Sequence, residues 1–97
     1  MILTERETPK GLLVAVCDAD ILGETFTNGD VSLTVTEEFY GREEVAETAV
    51  IDSLSRASVA NIVGKQAVEL AIENGFIDGA NVLEVGDTVH AQMLRMA

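Results

Sequence analysis

ASVANIVGKQAVELAIENGFI, residues Ala57–Ile77, is the stretch whose reading decides the fold. Val63, Ala67, Leu70 and Ala71 recur at helical spacing and form an apolar stripe. Ser58 and Asn61 both suit the head of that helix, because a short side-chain oxygen can accept from the free N–H groups of a first turn. Gly75 stands where a left-handed residue closes a helix, with Phe76 or Ile77 placed to fold back on it. The spacing predicts a helix starting at Ser58 or Asn61 and ending near Asn74. A second helical stripe precedes it: from Arg42 to Ala57, positions Ala46, Val50, Leu54 and Ala57 share one face. Glu43, Glu44 and Glu47 suit the positive end of that helix dipole and Arg56 the other end.

Outside this pair the pattern is that of strands. Thr8-Pro9-Lys10-Gly11 is turn chemistry between Ile2–Arg6 and the apolar run Leu12–Cys17, which predicts a hairpin whose second strand is buried on both faces. Asn28-Gly29 is a hairpin signal, and after it Val31, Leu33 and Val35 alternate with Ser32, Thr34 and Thr36. Asn81–Val85, Gly86-Asp87 and Thr88–Leu94 read as a final hairpin. The predicted order is β-β-β-α-α-β-β in a single domain, residues 1–97. The predicted class is α+β: a two-layer sandwich with two helices packed on a mixed, mostly antiparallel sheet.

Composition bounds the chemistry. Seventeen acidic residues against six basic ones give a net charge of −11 in 97 residues, and Lys10 and Lys65 are the lysines. Such a surface repels phosphate backbones at ordinary ionic strength and suits a salt-rich solvent, where repulsion is screened within roughly 3 Å at 1 M salt. Phe26, Phe39, Tyr40 and Phe76 are the aromatics, fewer than a base-stacking surface would carry. Cys17 is alone, so no disulfide forms within the chain. No signal-peptide pattern and no run of about 20 apolar residues is present, so a cytoplasmic protein that does not enter a membrane is expected.

Four stretches are jointly distinctive: LLVAVCDADILGETF (Leu12–Phe26), VSLTVTEEFYG (Val31–Gly41), Ala57–Ile77 quoted above, and HAQ (His90–Gln92). In this order they resemble the archaeal family known as domain of unknown function 424, over nearly the whole chain. Glu24, where the family is associated with lysine, makes the chain resemble an acidic member from a salt-loving archaeon. The resemblance implies a cytosolic archaeal protein with a loose link to translation and RNA, and no established activity.

The candidate site joins Asn61, Gly64, Lys65, His90 and Gln92 as a place for an anion or a partner. Free helix-start N–H groups and Lys65 could hold a phosphate or carboxylate. The spacing is not that of a P-loop, and the competing reading is a cap at Asn61 with close packing at Gly64. Strand alternation puts His90 and Gln92 on one face, either exposed for recognition or bonded within the sheet. Cys17-Asp18 could serve a thiol dyad with His90, or Cys17 could be a small buried hydrophobe. Asp18, Asp20 and Asp30 lack calcium-loop spacing. Phe39 is expected to pack beneath the first helix and Tyr40 to offer a partner contact. These readings predict no cofactor, no metal and no catalytic residue. They favour an accessory protein of RNA or ribosome metabolism with RNA or ribosomal and translation proteins as partners. A protein-interaction module or homodimer, and a small anion binder or enzyme, are the alternatives.

Overall fold

A computed structural model describes residues 1–95. Strands β1 (Ile2–Thr8) and β2 (Gly11–Cys17) form the first hairpin, with Thr8 paired to Gly11 across Pro9-Lys10. A second hairpin, β3 (Thr25–Asn28) and β4 (Val31–Thr34), follows a single 3-10 turn at Ala19–Ile21. Helices α1 (Glu37–Tyr40) and α2 (Glu47–Arg56) lead into β5 (Val59–Val63) and α3 (Lys65–Glu73). A 3-10 turn at Gly79–Asn81 then precedes β6 (Leu83–Val85) and β7 (Thr88–Leu94). The main sheet runs β1-β2-β5-β7-β6. Only β2 and β5 are parallel in it, so the sheet is mixed and mostly antiparallel, as expected.

The largest correction concerns Val59–Val63. This segment is the central strand, not the head of a helix, and Asn61 is therefore no helix cap. Val59, Ile62 and Val63 are β-branched, and a five-residue segment with four apolar positions carries too little periodicity to separate strand from helix. Gly64 makes the break. Its φ of +111° is a conformation open mainly to glycine, and α3 begins at the next residue. The helix end was legible: the Phe76 N–H donates to the Ala71 carbonyl and the Gly75 N–H to the Ile72 carbonyl, with Gly75 at φ +77°.

The preceding helix is also shorter than its stripe. Glu43–Val45 is extended and bonds to the start of the chain, with the Val45 N–H donating to the Met1 carbonyl at 2.8 Å. The break after β4 is a single turn of helix, α1, whose Thr36 hydroxyl accepts from the Phe39 N–H. The order is thus β-β-β-β-α-α-β-α-β-β rather than β-β-β-α-α-β-β.

Helices α2 and α3 cover one sheet face. Val50, Leu54, Ala67 and Ala71 pack there on Val14, Val16, Ala60, Ile62 and Ala91. The Ser53 hydroxyl, fully buried, donates to Glu5 at 2.6 Å. With Arg56 beside it, this bond holds the Glu5 carboxyl below its ordinary range. The opposite face is not bare, as a two-layer sandwich would leave it. Val35 and Tyr40 pack there on Ile2, Ala15, Cys17 and Val63, flanked by Phe26 and Leu33 of the small hairpin. Phe39 belongs to this side too, not beneath α2, and meets Tyr40 edge to face at 4.9 Å.

Gly75→Val should lower stability by about 1–2 kcal/mol, the strain of a β-branched residue in the left-handed region. Urea denaturation checks this. Because no atom crowds the site within 4 Å, the loss is backbone strain alone.

Candidate functional site

The start of α3 is already occupied by a carboxylate of the chain itself. Asp18 directly follows the buried strand β2 and its own N–H donates to the Val63 carbonyl at the end of β5. From there its side chain accepts from the Gln66 N–H at 3.0 Å and the Ala67 N–H at 2.7 Å. These are first-turn donors of α3, the groups an external anion would use. Gly64 leaves room for the carboxylate: a Cβ there would lie 2.3 Å from the Asp18 carboxyl carbon. Asp18 is buried, so the helix start is closed rather than offered.

The five residues expected at one site are therefore divided. Asn61, His90 and Gln92 share the sheet face opposite α2 and α3. Asn61 pairs with Gln92, and Val63 with His90. Gly64 is buried against Asp18. Lys65 lies beyond the end of β5, past the turn at Gly64, as the first residue of α3. It borders a cleft shared with Asp18, Asp20, Glu24 and Asp87.

The face holding Asn61, His90 and Gln92 is covered only in part. Near Cys17 and Val63 it lies under Val35 and Tyr40. Further along, Leu13, Val59 and Leu94 pair in a row across three strands, and Ala15, Asn61 and Gln92 pair in the next. Leu94 is 70% exposed, and Leu83, paired with His90, is 54% exposed. Asn61, His90 and Gln92 make no side-chain hydrogen bond among the described residues, and none of their polar atoms is sealed in the interior. Partial burial lowers the His90 pKa, so its imidazole is neutral at pH 7 and can donate and accept.

No strand residue pointing to this face is acidic. The strand carboxylates Glu5, Glu7 and Glu84 pair with Val14, Leu12 and Val89, which places all three on the helical side. Sequence reasoning found the polar half of the patch and missed its apolar half, Leu13, Val59, Leu83 and Leu94. The same alternation that joined His90 to Gln92 extends to Leu94 and could have found it.

The remaining candidates are structural. Cys17 is fully buried, and desolvation with the nearby Asp18 charge pushes its thiol up to about 11, so no thiolate nucleophile is available near neutral pH. Tyr40 is buried rather than offered to a partner, and burial pushes its phenol up to about 12. Among the described residues no cluster of three His, Cys, Asp or Glu side chains could hold a metal ion. No helix of the described residues is long and apolar enough to cross a membrane.

Asp18→Ala should lower stability by about 2 kcal/mol, because it orphans two N–H donors, one of them buried. Gly64→Ala should be destabilising by itself and less so on the Asp18→Ala background, where the clash with the carboxylate is gone. A double-mutant cycle by urea denaturation measures this coupling, and strict additivity would contradict it.

Comparison with known proteins agrees with this architecture. The chain is similar to an uncharacterised conserved protein from Methanopyrus kandleri, whose crystal structure superposes with a TM-score of 0.79 at 20% identity, over 99% of this chain and 93% of that one. At that identity the likeness is one of fold. No curated protein matches the chain. The profile of the family described as protein of unknown function (DUF424) matches residues 5–96, nearly the full length, and the chain belongs to that family.

Proposed function

We propose that this protein is a non-catalytic accessory factor that docks on a protein partner through the open half of its main sheet. The observation that carries the reading is the segregation of charge. A chain of net charge −11 keeps every strand carboxylate off one sheet face and exposes there an apolar row beside neutral amide and imidazole groups. Uncompensated carboxylates at the centre of an interface would have to be desolvated, so a docking surface excludes them. Asn61, His90 and Gln92 supply the directional contacts, and Leu13, Val59 and Leu94 the apolar area.

We place the partner in RNA or ribosome metabolism, the setting associated with the family. A protein component suits the face better than RNA itself. Arg6 is the one strand cation directed to this side, and it is engaged over the Phe39 ring at 5.3 Å and with α1 backbone carbonyls. No Phe, Tyr or Trp stands on a strand of the open half, which leaves His90 as its one ring, too few for the stacked platform a single strand of RNA uses. The remaining acidic surface fits a salt-loving archaeon's cytoplasm. An equal melting temperature at about 0.1 M and about 2 M KCl would contradict that assignment.

Affinity capture from the source organism at molar KCl, with and without nuclease, tests the docking reading. A protein partner should persist after nuclease treatment and be lost with Leu94→Asp/Gln92→Glu, whose exposed positions should change stability by no more than about 0.5 kcal/mol each. Lys65→Glu, remote from the face, should retain it. Loss of the partner on nuclease treatment would assign RNA instead, and retention by the Leu94→Asp/Gln92→Glu variant would remove the face.

A further inference from the structure

A second surface lies on the helical side of the sheet, away from the open face. Between α3 and the β6–β7 hairpin is a groove of about 530 Å³. Its floor is Val68, Ile72, Val82 and Val89, and Ile72 is 39% exposed. Its rims are acidic. Glu69 and Glu73 stand one helical turn apart along α3, and Glu84 projects from β6 on the other wall. The ion pairs among the described residues are Arg42 with Glu37 and Arg56 with Glu5 and Asp52, so none of the three rim carboxylates is neutralised by a pair.

We infer that this groove receives a basic amphipathic helix from a second protein. Apolar anchors on that helix would cover Ile72 and its neighbours. Lysines or arginines on both flanks would meet Glu69 and Glu73 on one side and Glu84 on the other. The chemistry matches both features of the groove at once: the apolar floor alone would accept any hydrophobic segment, and the acidic rims alone would collect cations without fixing their position. An acidic or phosphorylated segment is excluded by the same rims. Lys65 closes one end of the groove, so the basic flanks should fall toward the Glu73 end.

The experiment uses two fluorescein-labelled helical peptides. One carries leucines one turn apart flanked by lysines; the other has every lysine replaced by glutamate. Anisotropy is measured in KCl at which each variant retains its full circular dichroism. The basic peptide should bind and the acidic one should not. Glu69→Lys/Glu73→Lys should weaken binding by at least about tenfold, whereas Glu43→Lys/Glu44→Lys, the same charge change at exposed positions outside the groove, should change it less than about twofold. Ile72→Asp separates the groove from bulk attraction: it adds negative charge, so weaker binding can come only from the lost apolar floor. The inference is overturned by no binding at about millimolar peptide. Equal loss in the two charge-swap variants, or binding that Ile72→Asp leaves unchanged or tightens, overturns it as well.

Discussion

The contact on which the fold turns is the Asp18 carboxylate seated on the first turn of α3. It joins three parts of the chain that lie far apart in sequence: the end of β2, the glycine after β5, and the start of α3. Asp18 leaves β2 beside Val63, and Gly64 turns the chain with a positive φ out of the sheet. The carboxylate then fixes where the helix starts. Two charge-assisted bonds to otherwise unpartnered donors reward only this arrangement. Position and direction of α3 follow, and with them the packing of Ala67, Leu70 and Ala71 on the sheet.

The same contact redirects the functional reading. A helix start preceded by glycine and followed by lysine has the ingredients of an anion site. Here the anion is internal, and Lys65 lines a cleft together with Asp20, Glu24 and Asp87. What is left facing outward is of another kind. The acidic side chains gather on α1, on the helical side of the sheet and on the loops. The paired rows of β2, β5 and β7 opposite α3 stay neutral. The segregation gives a strongly acidic protein one face able to enter an interface without desolvating a carboxylate.

Much of the fold was legible because short-range chemistry dictated it. Pro9-Lys10, Gly29 and Gly86-Asp87 marked the hairpins, and Gly75 with Phe76 marked the end of α3. Val59–Val63 was not legible, because its apolar residues fit either the start of an amphipathic helix or a buried strand. Only neighbours from β2 and β7, supplied by the folded chain, decide between them. The candidate site divided for the same reason. Placing Asn61 on a helix put it beside Lys65; placing it on the central strand puts it beside Gln92, one row from His90, and leaves Lys65 at the strand's end. Tyr40 was misjudged because the cover over Cys17 and Val63 comes from α1, a single turn too short to announce itself by periodicity.

Hydrogen–deuterium exchange on the protein with and without its captured partner, at molar KCl, tests the central claim most directly. New protection should fall on β7 and the Val59 end of β5, around Asn61, Gln92 and Leu94. The Gln66 and Ala67 amides, held by Asp18 in both states, should exchange at the same slow rate with or without partner. Protection that appears at Lys65–Ala67 while the strands are unchanged would contradict the account and return the site to the helix start.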